Sequence, residues 1–163
     1  MEIRFAEYND LESIVGIYNQ AIRAGNATAD LFEIALKDKE IWFANHNKSQ
    51  YPIYILLKDS KIIGWGSISP YRIGRAALKT VAEITYYIDY KYHRIGSGSY
   101  LIDYILKDCK RLKIKNLMAF LLEVNSASIG LLKKFGFKQW GYLPNIVELK
   151  QENCAHLIYG MKL

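Results

Sequence analysis

Apolar and polar residues along this chain follow two rhythms, and the changes between them mark out its elements. The chain opens with alternation, and Glu2 to Ala6 reads as a strand. Leu11, Ile14, Val15, Tyr18 and Ile22 then recur at helical spacing; Asn9 stands where an N-cap belongs, Glu12 follows three residues later, and Gly25 marks a stop. Leu36 to Asn45 predicts a second helix, with Ile41, Trp42 and Phe43 available for burial. Tyr51 to Leu57 and Lys61 to Ser69 are β-rich runs around Asp59-Ser60, hence a hairpin. Pro70 to Lys79 is a loop holding Arg72, Gly74 and Arg75, and Thr80 to Ile88 is a strand rich in β-branched and aromatic residues. From Ser99 to Leu112, one helical face carries Leu101, Ile102, Ile105, Leu106, Cys109 and Leu112. Leu117 to Leu122 is a short strand. Ser126 to Phe135 is a short helix stopped by Gly136, and strand character returns from Phe137 and closes through Leu157, Ile158 and Tyr159. The order β, α, α, β, β, β, α, β, α, β, β predicts a single α/β domain over residues 1–163, with a mixed, partly antiparallel sheet.

Composition narrows the class. The 163 residues are 51% hydrophobic and 23% charged, ordinary for a globular protein. No apolar run approaches the ~20 residues of a membrane span. The charged, strand-like opening does not read as a signal peptide, and Cys109 and Cys154, without an export signal, suit a reducing, cytoplasmic setting. The net charge is +6, which permits nucleic-acid binding, but Lys and Arg are scattered rather than blocked and do not argue for it, and no nucleic-acid partner is expected. The densest group (Lys107, Lys110, Arg111, Lys113, Lys115) reads as a solvated helix face and turn. A positive balance also suits a polyanionic small ligand. His46, His93 and His156 make no metal constellation, and Cys154-Ala155-His156 is too closely spaced for zinc.

The most informative stretch is Tyr92-His93-Arg94-Ile95-Gly96-Ser97-Gly98-Ser99, between a strand and an amphipathic helix. Such a loop points amide N–H groups and a helix N-terminus at one spot, an anion cradle, and Gly96 and Gly98 permit close backbone approach. It lacks the lysine of a P-loop, and Leu101 stands where the dinucleotide fingerprint needs a third glycine. By itself the pair of glycines fits an ordinary strand-to-helix turn equally well.

Other segments add to it. Ile17-Tyr18-Asn19-Gln20-Ala21-Ile22 with Ala27-Thr28-Ala29-Asp30; Trp42-Phe43-Ala44 with His46; Gly64-Trp65-Gly66-Ser67 running into Pro70-Tyr71-Arg72; Glu83 to Ile88 leading into the glycine loop; and Asn125-Ser126-Ala127-Ser128 with Lys134-Phe135-Gly136-Phe137 occur in one order. Jointly they resemble the GCN5-related N-acetyltransferase (GNAT) superfamily, and within it the phosphinothricin or methionine sulfoximine acetyltransferase group. The resemblance implies a central sheet of six to seven strands flanked by about four helices. It implies acetyl-CoA in a V-shaped opening between the fourth and fifth strands, a small-molecule amine as acceptor, and a homodimer. The pyrophosphate would sit on amides from His93, Arg94, Ile95, Gly96, Ser97 and Gly98 into Ser99. The backbone of Tyr86, Tyr87 and Ile88 would pair with the pantetheine. Asn125, Ser128 and Lys134 would contact the cofactor from the next helix.

In the same reading Glu83 is the general base, since an amine with a pKa near ~8 to ~10 must lose a proton before it attacks a thioester. A backbone N–H near Tyr87 or Ile88 would stabilise the oxyanion. Arg72 and Arg75 stand in the loop expected to border the acceptor and can clamp a carboxylate; each reads equally as a solvated loop arginine. Tyr18, Trp42 and Trp65 read as acceptor-pocket walls or as core aromatics. The chain departs from the family pattern at His93 and Arg94, where Arg or Gln and then Gly are usual. It departs again at Leu132, where many relatives carry a Tyr or His acid for the departing thiolate, and at Asn153-Cys154-Ala155, where an aromatic-Asp pair is usual. These departures keep open a second reading, a non-catalytic acyl-CoA-binding module with a degraded acceptor site.

Overall fold

The computed structural model describes residues 1–150 and 152–163. Among them, strands β1 (Glu2–Phe5), β2 (Ile53–Lys58), β3 (Lys61–Pro70), β4 (Val81–Ile88), β5 (Asn116–Leu122), β6 (Lys138–Glu148) and β7 (Asn153–Lys162) alternate with helices α1 (Leu11–Ala24), α2 (Leu36–Ala44), α3 (Ser97–Asp108) and α4 (Ser126–Lys134), in the order read from the sequence. The strands form one sheet ordered β1-β2-β3-β4-β5-β7-β6. Only β4 and β5 run parallel; every other neighbouring pair is antiparallel.

Strand alternation divides the core between the two faces of the sheet. Tyr54 and Leu56 face the side packed by Leu101, Ile102 and Ile105 of α3. Ile53 and Ile55 face the side packed by Ile14, Ile17, Tyr18 and Ile22 of α1, where Trp65 also lies. The hairpin turns through Asp59 and Ser60, both with positive φ (51° and 60°), as a two-residue turn between twisted strands favours.

Three local expectations are corrected. Asn9 does not cap α1; it lies in a 3-10 turn, Tyr8–Asp10. The Asp10 carboxylate accepts from Glu7 N–H at 2.7 Å and from the Arg4 guanidinium at 2.6 and 2.8 Å. Burial alone would raise the Asp10 pKa, but these hydrogen bonds outweigh it and hold the group below its usual range. Second, α2 buries none of its residues fully: Ile41 is 77% exposed, and Trp42 and Phe43 are half-buried. Third, α3 begins at Ser97, ahead of the predicted Ser99, because Gly96 adopts φ 90° as its N-cap; Leu112 falls in the turn beyond the helix.

The feature that positions the site is a split in the sheet. β3 stays paired with β4 from Ala82 to Ile88, and β5 stays paired with β7 from Asn116 to Leu122. Between β4 and β5, pairing stops after Val81↔Asn116, Ala82↔Leu117 and Glu83↔Met118. Gly66 lets β3 lie close under α3: a Cβ there would stand 2.8 Å from Ile105 Cδ1 and 3.2 Å from the Thr85 carbonyl oxygen. Gly66→Ala is therefore expected to destabilise the fold by about 1–3 kcal/mol in urea unfolding; an unchanged midpoint would contradict this packing.

Candidate active site

Beyond Glu83, one edge of β4 has no strand beside it. The bonds Asp89 N–H to Ile63 O (2.9 Å) and Tyr71 N–H to Val81 O (3.4 Å) fix which residues of β4 face β3. Glu83, Thr85 and Tyr87 turn their backbone groups to β3; Tyr86 and Ile88 turn theirs into the opening. The Tyr87 N–H is therefore engaged within the sheet, which corrects its assignment as an oxyanion donor, and the Ile88 N–H faces the gap. His93 Nε2–H donates to the Ile88 carbonyl at 2.9 Å, so this side chain closes the end of the strand.

At the mouth of the split lies the glycine loop. Gly96 (φ 90°) turns the chain into α3, and Arg94 also has positive φ, 61°. Ser97 Oγ donates to the Tyr92 carbonyl at 3.0 Å and is buried. The first α-helical bond to the loop runs from Tyr100 N–H to the Gly96 carbonyl, 2.9 Å. The amides of Arg94, Ile95, Gly96, Gly98 and Ser99 have no acceptor among the described residues. Clustered donors at a helix N-terminus favour an anion such as a phosphate. The two glycines serve different ends: Gly96 supplies the left-handed turn, whereas a Cβ on Gly98 would meet Leu131 Cδ2 of α4 at 2.8 Å. Lys134 Nζ donates to Ser99 Oγ at 3.2 Å, bringing a cation to the loop, while the Ile95 side chain points outward, 48% exposed.

α4 forms the opposite wall. Asn125 Oδ1 accepts from Ser128 N–H at 3.1 Å and so caps the helix, leaving its NH₂ without an acceptor among the described residues. The Tyr86 hydroxyl is hydrogen-bonded to Ser128 Oγ, and burial pushes its pKa up to about 12, so it stays protonated. Leu132 is fully buried.

A third wall rises from the α1–α2 side of the sheet. Glu83, Thr85 and Tyr87 point that way, across from Ser69, Ser67 and Trp65 of β3. Burial raises the Glu83 pKa, opposed by a hydrogen bond with the Thr85 side chain. The Trp65 indole is 1% exposed and donates to the Ile14 carbonyl at 3.1 Å, so it is a core aromatic whose edge reaches the cavity. Tyr18 packs on Tyr87 (ring centroids 4.9 Å apart) and donates to Asp30 Oδ2 at 2.6 Å; burial, then Asp30, pushes its pKa up to about 12. His46 Nδ1–H donates to the Trp42 carbonyl at 2.6 Å, which leaves Nε2 to accept from the Ser69 hydroxyl at 3.1 Å. Burial lowers the His46 pKa and favours this neutral form.

These walls enclose one cavity of about 680 Å³, within the range of ligand sites. Of the residues singled out in the sequence, Tyr18, Trp42, Trp65, Glu83, Tyr86, Tyr87, Ile88, His93, Arg94, Gly96, Ser97, Gly98, Ser99, Asn125 and Ser128 line it. Ile95 and Lys134 belong to its rim without lining it. Arg72 and Arg75 are not on its wall: Arg72 lies over the Tyr71 ring at 5.6 Å, and Tyr71 in turn stacks on the cavity residue Phe120. Sequence reasoning missed Lys39, whose ammonium lies over Tyr18 and Trp42, and the His46–Ser69 pair beside Glu83. Lys39 stands in an unremarkable charged stretch of the helix, and His46, singled out with Trp42-Phe43-Ala44, gives no sign of its partner Ser69; only the fold turns Lys39 to the cavity and brings His46 to β3.

Comparison with known proteins agrees with this geometry. The pattern of the family described as "Acetyltransferase (GNAT) family" matches residues 13–137. A Bacillus subtilis protein named "Putative phosphinothricin acetyltransferase YwnH" is 35% identical over 164 residues, covering 100% of this chain and 99% of its own. An L-methionine sulfoximine/L-methionine sulfone acetyltransferase of Pseudomonas aeruginosa is 29% identical over 147 residues, covering 88% of this chain and 84% of its own. A solved structure titled "Crystal structure of a putative phosphinothricin N-acetyltransferase" superposes with a TM-score of 0.94 at 35% identity, over 99% of this chain and 98% of that one.

Proposed function

The chain belongs to the acetyltransferase (GNAT) family and is an acetyltransferase, and from that premise we propose that it moves the acetyl group of acetyl-CoA to the primary amine of a small molecule, an amino acid or analogue of the phosphinothricin or methionine sulfoximine type. One observation carries this reading: Glu83 stands at the last bridge before the sheet splits, in the same cavity as the cluster of unpaired loop amides.

The residues present fit acetyl-CoA. The amides of Arg94 to Gly96, Gly98 and Ser99 would hold its pyrophosphate, with the Lys134 ammonium near Ser99. The free edge of β4 at Tyr86 and Ile88 would pair with the pantetheine amides as an added strand. The Asn125 NH₂, fixed by the capping bond of its own oxygen, and the Ser128 hydroxyl would meet it from α4. Acetyl-CoA supplies the activated thioester; the protein supplies alignment and proton transfer. Glu83 takes the proton from the acceptor ammonium, directly or through water, and its raised pKa brings it closer to that of the amine. Of the β4 amides that face the opening, that of Tyr86 lies nearer Glu83 than that of Ile88 and would be the one to meet the thioester oxygen. Leu132 offers no side-chain acid, so protonation of the thiolate would be left to solvent.

The same reading includes a cytoplasmic homodimer. Both cysteines are free and buried, as suits a reducing compartment, and no described helix is long and apolar enough to cross a membrane. β6 forms the outer edge of the sheet and exposes Trp140, Tyr142, Leu143 and Ile146, an apolar strip that a second copy would cover.

Three measurements test this reading. Glu83→Gln should lower kcat/KM by about 10²–10⁴-fold with acetyl-CoA affinity retained. Because the base works deprotonated and its pKa is raised, wild-type activity should fall as pH drops through a midpoint above the usual carboxylate range, and that limb should vanish in the variant. Tight acetyl-CoA binding with no turnover of any amine would favour the binding-module reading. Gly98→Asp places a carboxylate among the loop amides and against Leu131, and calorimetry should show acetyl-CoA binding weakened by at least ~10-fold; unchanged affinity would move the pyrophosphate elsewhere. Tyr142→Lys combined with Ile146→Lys should convert the dimer to a monomer in sedimentation velocity; a monomeric wild type would exclude the dimer.

A further inference from the structure

We propose that Lys39 is the acceptor-side anion receptor: its ammonium, held over the rings of Tyr18 and Trp42, pairs with an acidic group, carboxylate or phosphinate, of the amine that is acetylated. This rests on the acceptor reading above and adds the residue that selects for charge.

The geometry isolates Lys39 from its neighbours on α2. Lys37 and Glu40 are exposed, whereas Lys39 folds back beneath the helix. Its Nζ lies 4.8 Å from the centroid of Tyr18 and 4.9 Å from that of Trp42, and all three residues line the cavity. Two ring faces fix the position of the ammonium but do not cancel its charge. Among the described residues, no carboxylate lies within ion-pair distance of it. Asp30, whose charge it does feel, is hydrogen-bonded to the Tyr18 hydroxyl at 2.6 Å. Burial pushes the Lys39 pKa down, the sign of an ammonium that has lost water without gaining a counter-ion. A cation in that condition gains more from an incoming anion than a solvated one does.

Elimination points the same way. The other basic side chains on the cavity wall, His93 and Arg94, belong to the glycine loop. Arg72 and Arg75 are not on the wall. An acidic acceptor whose amine lies at Glu83 therefore finds its cationic partner on the α1–α2 side in Lys39. That side is continuous with Glu83: Glu83 and Tyr87 share a face of β4, and Tyr87 packs on Tyr18 beneath the ammonium.

The test compares three probes: L-phosphinothricin (phosphinate and carboxylate), L-methionine sulfoximine (carboxylate alone) and the amine left by decarboxylating the latter. Binding is measured by calorimetry in the presence of CoA, which cannot acetylate, and turnover separately with acetyl-CoA. Lys39→Met keeps the apolar stem over the rings and, because α2 buries no residue fully, is expected to fold normally. It should weaken binding of the acidic probes by about 10–100-fold, the loss of a charge-assisted hydrogen bond, while leaving the decarboxylated amine unchanged. Lys39→Arg should restore most of the loss. A loss shared by both acidic probes assigns the carboxylate; a loss for phosphinothricin alone assigns the phosphinate. Equal effects on acidic and neutral probes, no effect on any, or no binding of the acidic probes by the wild type would each overturn the proposal. Charge-selective binding lost in Lys39→Met but without turnover by the wild type would keep the role of Lys39 and overturn the transferase reading; turnover with an unchanged probe preference in the variant would do the reverse.

Discussion

Everything at the site depends on a competition for partners within the sheet. β4 gives its full length to β3, and β5 gives its full length to β7, so the junction between them holds only as far as Glu83 and Met118. Parallel pairing is slightly weaker per residue than antiparallel pairing, and here it is the parallel junction that yields. The result is an unpaired backbone edge inside a folded domain. Such an edge is a hazard on the outside of a sheet, but within a cleft it is a ready hydrogen-bonding surface for an extended amide-bearing ligand.

The two ends of the opening use different physics. The loop offers backbone dipoles, unpaired amides gathered at the start of α3. The backbone amides do not depend on which side chains the loop carries, and His93 has a structural task at the Ile88 carbonyl. On the α1–α2 side, the surface is built from Tyr18, Trp42, Trp65 and Tyr87, with a few polar groups set among them. The first arrangement suits an invariant phosphate, whereas the second suits a ligand that must be told apart from others.

Much of this was legible in the sequence. The order of elements, the Asp59-Ser60 hairpin, the Gly25 stop and the glycine loop all follow from local rules of periodicity and turn chemistry, and local rules were enough. What escaped was decided by tertiary contact. Asn9 reads as a capping residue, but a 3-10 turn precedes α1 and puts Asp10 immediately before it, with the carboxylate held by Arg4 of β1 and the Glu7 N–H. The edge-facing amides of β4 could not be told from sheet-facing ones before the register with β3 was known, so Tyr87 and Ile88 looked equivalent. Arg72 and Lys39 are the sharpest case. The arginine stands in a suggestive loop yet lies off the wall, while the lysine sits in an ordinary charged helix yet lines it.

The weak anchoring of α2 has a consequence for how such a protein can change over generations. The helix buries none of its residues fully, yet it carries Lys39 and Trp42 into the cavity. Apart from Trp42 and Phe43, which pack against the core beside α1, its positions can change without disturbing the core of α1, α3 and the sheet. On the acceptor reading proposed above, a change at a half-buried position of α2 such as Lys39 would alter what the cavity accepts at little cost in folding stability, so a lineage could explore new acceptors there without first accumulating surplus stability elsewhere.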